Sequence, residues 1–224
     1  MTAPRAALLA LLLATAPAGA EDFVTVERRL SDADFHRLVS CGAAPGGDCR
    51  PAVMRWPPAR ARDLRVAVLP PEPGFPEGKA ALVRLAVASA VSEVNGAGAA
   101  IRLRRVNPGA GPDIRIRLTG LNEGDGIRGV PGIERGTPIG AAHFRFNTDS
   151  RNRITDAVIL VAADIRTDHI TSVLLEEIVQ VLGLLHDVAG PAYHGASIFD
   201  EHTNVVTRLR GQDAAALRLH YPPQ

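Results

Sequence analysis

The stretch LLEEIVQVLGLLHD, from Leu174 to Asp187, decides how the rest of the chain is read. Leu174, Ile178, Val181, Leu182 and Leu185 recur at helical spacing and predict one buried amphipathic helix. Glu176 and Gln180 are four apart and therefore share one face of it. Gly183 stands where a left-handed cap ends a helix and reverses the chain. His186 and Asp187 follow just past that turn, placed to come back toward Glu176 and Gln180. Two adjacent glutamates in so apolar a helix are costly to bury without partners, so at least one is expected to face a cleft.

Working outward, Leu64, Val66 and Val68 alternate and predict a first strand, stopped by Pro70-Pro71. Lys79 to Asn95 reads as a helix with Val83, Val87, Ala90, Val91 and Val94 along one stripe. Ile101 to Val106 and Asp113 to Leu118 read as two further strands, Arg115 and Arg117 solvating the open face of the second. Gly120 to Gly140 holds seven glycines and two prolines without periodicity. Such a long loop either borders a cleft or lies free on the surface. His143 to Phe146 is a short strand, and Ile154 to Val161 is apolar enough to be buried on both faces. The helix first described follows, and Gly211 to Tyr221 closes the chain with Ala214, Leu217 and Tyr221 on one stripe. Strand, helix, several strands, helix and a short helical end amount to an α+β fold.

Of the 224 residues, 46% are apolar and 22% charged, which suits one domain with a tail. A formal charge of +1 argues against nucleic-acid and anionic-membrane partners. Arg5, the apolar run Ala6 to Thr15 and the small residues Ala18-Gly19-Ala20 predict a signal peptide over 1–20. That run is too short to span a bilayer. The mature chain is expected to begin near Glu21 and to be exported, periplasmic or extracellular. In that oxidising compartment Cys41 and Cys49 are expected to pair within an N-terminal extension, 21–62. Ser31 and Asp34 can cap a short helix there, and Trp56 reads as a packing anchor.

Written as E-E-x-x-Q-x-x-G-x-x-H-D, the opening stretch resembles the extended zinc motif of the metzincin peptidases, H-E-x-x-H-x-x-G-x-x-H. Glu176 and Gln180 stand where the first two ligand histidines would be, and His186 at the third. Glu177 matches the general base and Gly183 the turn glycine. The chain is also similar to a family of secreted or lipoprotein-type bacterial proteins known as domain of unknown function 2927, through EEIVQVLGL and the later SIF. The metzincin resemblance covers roughly Leu64 to Pro222. It implies a zincin-like domain over 63–224, with a twisted mixed sheet, two main helices and a small C-terminal helical subdomain. It also implies that Phe199 lies beneath the site and that Asp187 supports it.

The ligand set departs from that pattern at two of three positions. A neutral amide is a poor zinc ligand, and two such changes imply a loss of roughly 10²–10⁴-fold in affinity. No cofactor is therefore expected, zinc being the group the motif would otherwise hold. The reading is a non-hydrolytic, protease-like binding protein with a protein or peptide partner; the alternative is a metal-dependent peptidase with unusual ligands. His186, Asp187, His194, Asp200, Glu201 and His202 also crowd one stretch, where a rearranged metal site competes with chance clustering. Ser172 and Ser197 lack the strand-turn-helix context of a nucleophilic serine.

Overall fold

A computed structural model describes residues 23–223; the segment 1–20, expected from the sequence to be a signal peptide, lies outside them. The central sheet has five strands in the order β3-β2-β4-β6-β5. These are β2 (Leu64–Val68), β3 (Leu103–Arg105), β4 (Ile114–Leu118), β5 (Ala142–Thr148) and β6 (Ile154–Val161). All neighbours are parallel except β5, which pairs antiparallel with β6 and forms one open edge. Helix α3 (Glu77–Gly96) crosses over between β2 and β3, and α4 (Ile170–Gln180) follows β6. α3 and α4 pack on each other, and α4 also reaches β5.

The periodicities explain these elements. β4 alternates buried and half-exposed residues along its whole length, with Ile114, Ile116 and Leu118 inward. α3 buries Ala80, Val83, Ala86, Val87, Ala90 and Val94, the stripe expected of an amphipathic helix. Asn95 fixes its far end by accepting from the Leu103 N–H at 2.8 Å and donating to the Leu103 carbonyl at 2.9 Å. β3 is shorter than the Ile101 to Val106 pattern suggested, because Ile101 and Arg102 approach the chain through the Ala61 carbonyl instead of a ladder.

β6 is buried on both faces, and the 120–140 loop is the reason. Ile127, Val130 and Ile139 of the loop pack on Val158, Leu160 and Ala162, forming a second small core behind the sheet. The loop is a folded flap with its own backbone bonds, such as Ile127 N–H to the Thr137 carbonyl at 2.8 Å. Arg115 and Arg117 also do more than solvate a face: they pair with Asp156 and Glu72.

The N-terminal segment is built into the same body. β1 (Phe23–Thr25) pairs in parallel with β7 (Asp187–Ala189), directly after the motif helix. α1 (Asp32–Cys41) packs on the closing helix α5 (Gly211–His220). Ser31 caps α1 by accepting from Asp34 N–H at 3.1 Å, as its sequence predicted. Cys41 and Cys49 form a disulfide, with Cα atoms 5.6 Å apart. The short helix α2 (Pro58–Ala61) then leads into β2. No helix among the described residues is long and apolar enough to cross a membrane.

Candidate functional site

α4 ends at Gln180, and the chain reverses at Gly183, whose φ is +105°. The turn is tied down from outside the helix. Trp56 Nε1 donates to the Val181 carbonyl at 2.9 Å, and Tyr221 Oη donates to the Leu182 carbonyl at 2.6 Å. Tyr221 Oη in turn accepts from Trp56 N–H at 3.0 Å. Carbonyls that a helix C-terminus leaves without partners are thus satisfied by two buried aromatic side chains. Neither aromatic belongs to the motif. The chain's single tryptophan and the tyrosine at the end of its last helix were the signals available for them.

Four motif side chains come together at this end of α4. Gln180 is buried and donates its amide to Glu176 Oε1 at 3.5 Å and to Asp187 Oδ1 at 3.2 Å. Glu177 stands beside them; its Oε2 is closed off from solvent and has no hydrogen-bond partner. Burial, then the Asp187 carboxylate, pushes Glu177 up to about 8. Burial, then Asp187, Glu177, Glu201 and Asp200 in that order, holds Glu176 well above the ordinary carboxylate range. Near neutral pH Glu177 therefore keeps its proton, next to the Asp187 carboxylate.

His186 is placed elsewhere. Beyond Gly183 the chain extends into β7, where neighbouring side chains point to opposite sides. Asp187 is the one that reaches α4, where it accepts from Gln180, while His186 turns toward the N-terminal segment. The His186 backbone N–H donates to the Val39 carbonyl at 3.0 Å. Its ring lies against Gly42, so close that a Cβ there would stand 3.1 Å from His186 Cε1. Phe199 is fully buried, but against Phe35, with ring centroids 6.1 Å apart.

The geometry does not fit a zinc peptidase's metal. Three protein ligands with an open fourth position are needed; here Gln180 donates to its neighbours, and His186 is turned onto the N-terminal segment. Among the described residues, no three His, Cys, Asp or Glu side chains form a group suited to a metal ion. The downstream acids and histidines form a closed loop instead. Buried Asp200 accepts from Gly195 N–H at 2.7 Å, Thr203 Oγ1 at 2.7 Å and His202 N–H at 3.2 Å, with His194 Nδ1 3.5 Å away.

A family described as "Protein of unknown function (DUF2927)" matches residues 51–224. The chain belongs to this family. The match takes in the whole central sheet, the motif helix and α5, and leaves out β1, α1 and Cys41, Cys49. The segment that holds His186 by its backbone and faces its ring thus lies outside the matched span. No curated protein matches the chain.

Proposed function

We propose that the mature DUF2927 chain is an exported, zincin-like protein that binds a protein or peptide partner and does not hydrolyse it. The observation that carries this reading is the exchange of His186 for Asp187 beside Gln180. It leaves Glu177 among carboxyl groups, already holding a proton where a general base must be free to take one. The zincin-like part rests on the order of elements, strand, helix, strands and motif helix, and on the glycine turn that ends α4. The open edge of β5, next to α4, is the surface to which an extended peptide would add as a further strand. A second reading, a peptidase with carboxylate ligands, draws its support from the unpartnered Oε2 of Glu177.

Purified without chelators, the mature protein is expected to contain well under one zinc per chain and to leave casein-like unstructured substrates intact. Elemental analysis and a cleavage assay decide this. Stoichiometric metal with proteolysis lost both to a chelator and in Glu177→Gln would establish the second reading instead. Export has its own test. Intact mass of protein recovered from the periplasm or medium is expected to begin at Glu21 and to show no alkylatable thiol; a mass retaining residues 1–20 would sink it.

A further inference from the structure

On the far side of the Gly183 turn lies a cavity of about 530 Å³, within the range of small-ligand sites. Its walls come from the segment before and through α2, the turn joining β5 to β6, and the end of α5. Trp56, Pro57 and Tyr221 give it an apolar side. Around them stand Arg55, Arg62, Arg151 and Arg153, and among the described residues no aspartate or glutamate lines it.

These arginines are not equivalent. Arg153 is held by Asp149 at 2.6 Å, and the backbone bridge between Arg55 and Arg153 sets those two side by side. Arg55 is half-buried, and its Nε is sealed from solvent with no hydrogen-bond partner. Among the described residues, no carboxylate lies within ion-pair distance of it. A guanidinium N–H sealed from water without a partner is unfavourable, so such a residue points to an acceptor supplied from outside, an anion above all.

Two histidines near Arg55, the buried His220 and the half-buried His36, do not supply one. His220 Nε2 lies 3.0 Å from the Met54 carbonyl and therefore carries the proton, which leaves its Nδ1 to accept from His36 Nε2 at 3.2 Å. Burial, then Arg55, holds His220 down to about 3 and His36 to about 4. Both are neutral at physiological pH, and neither offsets the charge of Arg55.

We propose that this cavity binds a small organic anion, a carboxylate on an apolar body, with Arg55 and Arg151 taking the carboxylate and Trp56, Pro57 and Tyr221 covering the apolar part. The planar guanidinium fork suits a carboxylate, and the apolar wall favours a ligand with more than a bare charge. Such an acid arrives either free or as the C-terminus of a peptide. This binding is independent of the carboxyl cluster beside α4.

Trp56 is the chain's single tryptophan and lines the cavity, so its emission reads occupancy directly. The full mature protein is titrated with cyclohexanecarboxylate, a tripeptide ending in leucine, cyclohexylmethanol and inorganic phosphate. At least one of the two carboxylates is expected to give a saturable change, the tighter of them naming the source. The neutral alcohol and phosphate should each bind at least tenfold more weakly. Arg55→Met should weaken the carboxylate at least tenfold and Arg151→Met at least threefold, while Arg104→Met, paired with Asp63 on the surface, leaves it unchanged. Arg151 is exposed, so its variant keeps the test valid if Arg55→Met fails to fold. No saturable change, equal binding of alcohol or phosphate, or full affinity in Arg151→Met would overturn the proposal.

Discussion

Gly183→Ala is expected to destabilise the protein by about 3–5 kcal/mol, a large part of the roughly 5–15 kcal/mol by which domains are stable. Two effects combine. A φ of +105° is one that side chains rarely adopt, which costs about 1–3 kcal/mol. A Cβ there would also run into the Met54 carbonyl oxygen and stand 2.7 Å from His220 Nε2. The Met54 oxygen is backbone and cannot rotate away, so the turn or the segment before α2 must shift, at about 1–3 kcal/mol more. Gly136→Ala separates the two effects. Its φ is +94°, yet nothing lies within 4 Å of the added methyl, so it should show the conformational cost alone. Urea unfolding of both variants, followed by far-UV circular dichroism, checks this. If Gly183→Ala unfolds at the wild-type midpoint, or at that of Gly136→Ala, the close approach at this turn is not what holds the site together.

Much of the fold was legible because it depends on patterns that local chemistry enforces. Leu64–Val68, Glu77–Gly96, Ile114–Leu118 and Ile154–Val161 lie where alternation or helical spacing put them. In each, one face meets the core and the periodicity of the backbone fixes which residues share it. The glycine turn was legible for the same reason, since a positive φ leaves few alternatives to glycine. What escaped were consequences of distant contacts. Nothing in the glycines of 120–140 shows that Ile127, Val130 and Ile139 will cover β6, because their partners lie some twenty to thirty residues further on. The site was half legible. Spacing brought Glu176, Gln180 and the reversed chain together, but could not say which of His186 and Asp187 would return. That choice shows only in contacts distant in sequence, with the His186 N–H held by the Val39 carbonyl and its ring against Gly42. Arg55 and His220 carried no motif at all, and only the meeting of α2's approach with the end of α5 gives them a role.

Glu177→Gln is expected to stabilise the protein at alkaline pH by about 2–4 kcal/mol and to have little effect near pH 5. The folded protein holds the Glu177 proton up to about 8, against an ordinary value of 4.5. Between those values the folded state binds more protons than the unfolded one, so unfolding free energy falls as pH rises. The contribution is fully present below pH 4.5 and is lost as pH rises through about 8, at no more than about 1.4 kcal/mol per pH unit. A buried glutamine carries no charge to desolvate, and its amide can donate toward Asp187, so the variant escapes this slope. Groups away from the Glu176–Glu177 pair act on the wild type and the variant alike. Asp213, raised to about 6 chiefly by burial, has the same sign but saturates earlier, whereas His36 and His220, lowered by burial and Arg55, act in the opposite sense below 6.5. Glu176, held up in part by Glu177, changes with it, so the difference between the two proteins reads Glu177 together with its hold on Glu176. Urea midpoints from pH 5 to 9 measure it, and parallel curves for the two proteins would show that Glu177 ionises as freely in the fold as out of it. A widening gap would instead establish that this carboxyl is a proton-holding donor at neutral pH, the property on which the non-hydrolytic reading of the site depends.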